Sequence, residues 1–82
     1  MAKTFHLTIA KVGENLFDGE AISVTVPGVD GVLTVLAHHE AFVSPLKEGD
    51  IIVEIEGGPK QTFALADSGI LEVSNNQATV II

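Results

Sequence analysis

The chain has 82 residues, of which 46% are hydrophobic and 5% aromatic, and its formal net charge is −7. A chain of this length forms one domain with a modest core, and without Trp or Tyr that core must consist mainly of Val, Ile, Leu and Ala. Four basic against eleven acidic residues make nucleic acid and anionic membranes poor partners, because phosphate binding needs clustered Lys and Arg. The absence of cysteine excludes disulfides and cysteine zinc sites.

The N-terminal segment does not resemble a secretion signal, because the residues after Lys3 alternate between apolar and polar types. No apolar run approaches the length of about 18 residues that a membrane-spanning helix requires. We therefore expect a soluble, cytosolic protein without direct membrane insertion.

The dominant pattern along the chain is an alternation of apolar and polar residues. It occurs in segments 5–9, 22–26, 51–55 and 78–82. Such a period of two is typical of strands that turn one face to a core. Turn residues separate the segments; Asn75-Asn76 predicts a hairpin turn and 57–59 a strand connection. The pattern predicts an all-β fold, a flattened β-sandwich or barrel of about eight to ten short strands, with no room for a long helix.

Two strands carry apolar residues at positions that the alternation turns outward. Ile52 lies between Ile51 and Val53, and Ile81 lies next to Val80. If the two valines face the core, Ile52 and Ile81 face away from it. Several outward apolar residues on one sheet face predict a protein interface.

The most suggestive polar cluster is His38-His39-Glu40, between two apolar runs. Adjacent side chains on a strand point to opposite faces, so His38 and His39 cannot easily share one ion. His38 and Glu40 could share one, but structural zinc needs four ligands and His6 is far away in sequence. We interpret the cluster as a turn between strands. The alternative is a stand-alone β-sandwich that binds a small ligand or a metal.

No pattern in the chain demands catalysis. Ser44 lies near His39, but no Gly-x-Ser-x-Gly elbow is present. Residues 67–69, Asp-Ser-Gly, are typical of a turn in which Gly69 has a positive φ. Neither a catalytic nor a nucleotide-binding residue is therefore expected.

Several segments follow one another in an order that carries a family resemblance. They are Thr4-Phe-His-Leu, Leu16-Phe-Asp-Gly-Glu20, Gly31-Val-Leu-Thr-Val-Leu-Ala-His-His-Glu-Ala-Phe, Leu46-Lys-Glu-Gly49 and Ser68-Gly-Ile-Leu-Glu-Val73. Together they closely resemble the N-terminal β-sandwich domain of the epsilon subunit of the F-type ATP synthase, called delta in mitochondria. The resemblance covers essentially the whole chain.

This resemblance implies a non-catalytic subunit of the central stalk, or rotor, without a cofactor. Such a subunit binds the gamma subunit and contacts the ring of c subunits, and it helps couple proton or sodium flow to ATP synthesis. The implied location is peripheral, on the cytoplasmic face of a bacterial inner membrane or an equivalent membrane. The implied gamma contacts are His39, Ala41, Phe42 and Ser44, and the implied c-ring contacts are Val29, Asp30, Gly31, Val32 and His38.

The chain departs from the family pattern Gly-x-Leu-Gly-Ile-Leu-Pro-x-His-Ala-Pro. Thr34 replaces the second glycine, Ala37 and Ala41 replace the two prolines, and Glu40 replaces the alanine. Val32 stands where an acidic residue is common. Most members continue into a helix-turn-helix that can brake ATP hydrolysis. We expect residues 1–82 to form the single β-sandwich domain without that hairpin, neither inhibiting nor binding nucleotide through it.

Overall fold

Nine β-strands and no helix make up residues 3–82, the part of the chain that the computed structural model describes. The strands are β1 Phe5–Lys11, β2 Glu14–Ala21, β3 Ser23–Gly28, β4 Gly31–Leu36, β5 Phe42–Leu46, β6 Gly49–Glu54, β7 Gln61–Leu65, β8 Gly69–Ser74 and β9 Gln77–Ile81. The prediction of an all-β fold is confirmed. In this part of the chain there is no helix that could cross a membrane.

The strands follow the order β2-β1-β9-β8-β5-β3-β6-β7, with β4 paired to the other edge of β3. Only β1 and β9 run parallel, and the remaining pairs in residues 3–82 are antiparallel. Strand β3 meets β5 at a single pair, Gly28 with Leu46. At this corner the path folds over, so that β2-β1-β9-β8-β5 forms one layer of the sandwich and β4-β3-β6-β7 the other.

The core lies between the two layers and follows the period of two predicted from the sequence. Its buried residues are Phe5, Leu7, Ile9, Ala21, Val24, Val26, Val35, Leu46, Ile51, Val53, Leu65, Leu71, Val73, Ala78 and Val80. No polar or charged side chain among the described residues is buried with them. Aliphatic burial of this kind supplies most of the stability of a small domain.

The local predictions about turns and outward residues are confirmed with one exception. Asn75 and Asn76 have φ angles of 51° and 57° and form a two-residue hairpin between β8 and β9. Ile81 is 57% exposed, and Ile52 is half-buried. The positive φ expected for Gly69 was wrong. This residue opens β8, and a Cβ on it would lie 2.7 Å from the carbonyl oxygen of Ile81, so the position needs glycine for close packing.

Candidate partner-binding surface

The β3–β4 hairpin positions the segment predicted to face the c ring. Gly28 and Gly31 form its closing pair, so Val29 and Asp30 make up a two-residue tip. A Cβ on Gly28 would lie 2.6 Å from the carbonyl oxygen of Gly31, which leaves no room for another residue. The backbone N–H of Val29 donates to the carbonyl oxygen of Pro45 at 3.2 Å and fixes the tip against β5. The tip is exposed, and Val32 beside it is 73% exposed.

His38-His39-Glu40 forms the turn that we predicted between β4 and β5. His38 has a φ of 62°, and His39 Nδ1 donates to the carbonyl oxygen of Glu40 at 2.8 Å. The His39 ring packs on Phe42, with ring centroids 4.8 Å apart. Because this backbone is not extended, the shared strand face that made His38 and Glu40 possible metal ligands does not exist.

Both predicted contact sets meet at the open side of the sandwich between β4 and β5. A groove of about 320 Å³ runs there and is lined by Gly28, Asp30, Gly31, Val32, Leu33, Phe42, Val43 and Ser44. It joins most of the predicted ring-facing segment to two predicted gamma-facing residues. His38, His39 and Ala41 are not among its lining residues. His38 follows the far end of the six-residue strand β4, so the structure separates it from the 29–32 segment.

An apolar row lies on the outer face of the layer that contains β5, β8 and β9. Of its residues, only Ile81 was predicted from the sequence to face outward. Cross-strand pairing aligns Pro45 with Ile70, Ile70 with Ile81, and Ile81 with Ala10. Ile70 is 51% exposed. Val43, on the same face of β5 as Pro45, is 64% exposed and pairs with Glu72. The alternation within residues 42–46 and 69–74 could have marked Val43 and Ile70 as outward. The alignment of the row could not be found without the strand register.

A polar cluster occupies the outer face of the β1–β2 pair. His6 Nε2 lies 2.6 Å from Asp18 Oδ1, and His6 Nδ1 lies 3.3 Å from Glu20 Oε2. The Thr4 hydroxyl donates to Glu20 Oε1 at 2.8 Å. The hydrogen bond to Asp18, followed by the one to Glu20, raises the pKa of His6 above its usual value near 6.5. No local sequence pattern indicates that these residues meet, because their contact depends on the β1–β2 register.

The two carboxylates of this cluster meet different nitrogens of the His6 ring and therefore do not converge on one point. Across residues 3–82, no group of three His, Asp or Glu side chains is arranged to hold a metal ion.

Comparison with known proteins finds relatives among the ATP synthase epsilon chains. The family described as ATP synthase, Delta/Epsilon chain, beta-sandwich domain matches residues 4–82. ATP synthase epsilon chain 1 of Methylococcus capsulatus is 36% identical over 81 residues, which are 99% of this chain and 57% of that protein. The epsilon chain of Protochlamydia amoebophila is 36% identical over 77 residues, covering 94% of this chain and 52% of the relative. The chain thus spans a little over half the length of these curated relatives.

Two solved structures share the fold over nearly the whole chain. One is a chain of the Euglena gracilis mitochondrial ATP synthase, in a cryo-EM structure of OSCP, F1 and the c-ring. It has a TM-score of 0.88 and 25% identity, covering 99% of this chain and 51% of that one. The other belongs to the central stalk and c-ring of the Tetrahymena thermophila mitochondrial ATP synthase. Its TM-score is 0.79 at 13% identity, with 99% and 65% of the two chains covered, and it supports the fold alone.

Proposed function

The chain belongs to the delta/epsilon family of ATP synthase subunits, and we propose that it is a non-catalytic part of the central stalk of a rotary ATP synthase. In this role it binds the gamma subunit and contacts the c ring, and it helps couple proton or sodium flow to ATP synthesis. The observation that carries the proposal is the family match over residues 4–82. The Euglena relative comes from an assembly that contains F1 and the c-ring, which agrees with these partners.

The gamma subunit is proposed to bind along β5 and the neighbouring apolar row. His39, Ala41, Phe42 and Ser44 are the contacts expected from the family. The exposed Val43 lies between Phe42 and Ser44 in sequence but on the opposite face of β5, the face that carries Pro45, which pairs with Ile70. Association would remove this apolar area from water and provide a favourable term for binding.

The c ring is proposed to meet the tip of the β3–β4 hairpin. Val29, Asp30, Gly31 and Val32 are held at the end of a strand pair, fixed to β5 by the hydrogen bond between Val29 and Pro45. A short, fixed tip suits contact with a partner, because it loses little conformational entropy on binding. His38, at the opposite end of β4, is the expected ring contact with the least geometric support.

The site of action is proposed to be peripheral, on the cytoplasmic face of a bacterial inner membrane or an equivalent energy-coupling membrane. The role proposed for the chain requires no catalytic residue.

The decisive experiment is complex formation with the purified gamma subunit of the same organism. The chain, shown to be folded by circular dichroism, is mixed with gamma and run on size exclusion with multi-angle light scattering. We expect a one-to-one complex that Ser44→Glu or His39→Glu weakens without loss of fold. A folded chain that elutes apart from gamma would overturn the proposal.

A further inference from the structure

Strand β4 has an unpaired edge. Within the described residues it pairs only with β3. In a hairpin with a two-residue tip, the closing pair exchanges hydrogen bonds, and every second pair after it does the same. Gly31, Leu33 and Val35 therefore bond to β3, while the backbone N–H and C=O groups of the alternate residues point away from it. These outward groups belong to Val32, Thr34 and Leu36.

Pro27 supports this assignment, because it has no N–H and lies opposite Val32, where no bond within the hairpin is required.

This edge lacks the features that usually prevent strand pairing between molecules. Sheet edges in natural proteins are protected by charges, prolines or bulges. Strand β2, at an edge of the other layer, has Glu14, Asp18 and Glu20 and lies beside a bulge between Ile9 and Ala10. Strand β4 has none of these: its sequence GVLTVL is uncharged.

Strand β4 also exposes two large apolar side chains. Val32 is 73% exposed and Leu36 is 55% exposed. Strand β7, at the other edge of the same layer, exposes only the smaller Thr62 and Ala64.

We propose that the edge of β4 pairs with the same edge of a second copy of the chain, antiparallel about a two-fold axis at Thr34. A two-fold interface must be self-complementary, and this register makes it so. Val32 of each copy lies opposite Leu36 of the other, and the two Thr34 residues face each other. All three positions are those with outward backbone groups, so each pair can exchange both N–H···O bonds.

The same register decides between a second copy and an unrelated strand. It brings together the large apolar side chains that β4 exposes, and it places no like charges opposite each other. The electrostatic term against pairing is long-range repulsion between two chains of net charge −7, and added salt screens it. Pairing therefore strengthens as ionic strength rises.

The inference goes beyond the proposed function and stands independently of it, because it rests on β4 alone. Pairing covers Val32, a residue expected at the ring. A chain paired through β4 and a chain assembled in a rotor are therefore separate populations, and only the free chain can be recruited.

A single cysteine tests the register directly, because the chain has no cysteine of its own. In Thr34→Cys, the two introduced residues would form a directly opposed pair with Cα atoms about 5.5 Å apart, within the range of a disulfide. Thr62→Cys is the matched control, an exposed threonine in the middle of edge strand β7. Both variants are oxidised with glutathione disulfide at equal concentration, and covalent dimer is followed on non-reducing gels.

We expect covalent dimer to form at least about tenfold faster in Thr34→Cys than in Thr62→Cys, because pairing raises the effective concentration of the two thiols. In parallel, sedimentation velocity of the cysteine-free chain should show a dimer that grows with protein and salt concentration. Leu36→Lys should be monomeric, because it places a charge on the pairing edge.

Equal oxidation rates, a monomer at every concentration, or a dimer that survives Leu36→Lys would each overturn the proposal. So would protection of the Val32, Thr34 and Leu36 amides from hydrogen exchange only when gamma is added, since that would assign the edge to gamma.

Discussion

The backbone N–H of His38 donates a hydrogen bond to Oδ1 of Asn76 across 2.7 Å, joining two turns that are far apart in sequence. Asn76 also donates from Nδ2 to the carbonyl oxygen of Thr4 at 3.0 Å, and its own carbonyl oxygen accepts from the N–H of His6 at 3.2 Å. One side chain thus connects the β4–β5 turn, the β8–β9 turn and the start of β1. These bonds hold His38 at a φ of 62°, which is unusual for a residue with a Cβ.

Replacing Asn76 by glycine should destabilise the fold by about 1–3 kcal/mol more than replacing Asn75 by glycine. Both residues have positive φ, so glycine suits both positions and carries a similar entropic cost. Only Asn76→Gly removes the side-chain hydrogen bonds to His38 and Thr4. Urea denaturation of the two variants measures the difference. Equal stabilities would show that the Asn76 side chain contributes nothing.

The His6 cluster should make stability depend on pH. Because the hydrogen bond to Asp18 raises the pKa of His6 in the folded chain, folding favours the protonated ring. The resulting stabilisation is fully present below the unfolded pKa of about 6.5 and is lost as pH rises through the folded pKa.

Urea denaturation between about pH 5.5 and 8.5 checks this prediction against His6→Gln, which should remove the decline due to His6. Asp18→Asn should lower the His6 pKa, as followed by NMR titration, and should lower it more than Glu20→Gln does. The order of the two effects follows from the larger contribution of the Asp18 hydrogen bond. A pKa unchanged in Asp18→Asn would contradict the assigned cause.

Much of the fold follows from local patterns. The alternation at Phe5, Leu7 and Ile9 identifies a strand with one buried face, and Asn75-Asn76 identifies a turn with positive φ. Both signals depend only on neighbouring residues, and for this reason the sequence predicted them correctly.

The surface was harder to predict, because it depends on which strands are neighbours. Ile70 and Ile81 lie side by side through the β8–β9 hairpin, but Pro45 joins them only because β5 pairs with β8. The polar contact of His6 with Asp18 likewise depends on the β1–β2 register. The wrong prediction of a positive φ at Gly69 has the same origin. Glycine is needed there because Ile81 of another strand packs closely against it, and the residues around Gly69 in sequence do not indicate this contact.

Gly28→Ala should destabilise the chain by about 1–3 kcal/mol, since the added Cβ would overlap backbone that cannot move without opening the hairpin. That Cβ would lie 2.6 Å from the carbonyl oxygen of Gly31. Gly19→Ala is the control: its Cβ would meet only the Phe17 ring, at 3.9 Å. We expect Gly19→Ala to be nearly neutral in thermal and urea denaturation. A neutral Gly28→Ala would show that the hairpin tip adjusts freely, against the fixed tip proposed for ring contact.

Ile81→Glu should weaken binding to gamma at least about tenfold, because it places a charge in the middle of the apolar row. Ile81 has Ile70 on one side and Ala10 on the other, and no charged residue pairs with it across either strand. Its exposure of 57% means that the substitution leaves the core intact.

Thr62→Glu adds the same charge to the opposite layer and controls for the change in net charge. Titration calorimetry with purified gamma compares the two variants. If both bind like the unsubstituted chain, gamma does not use this row, and the contacts at His39 to Ser44 would have to provide the interface alone.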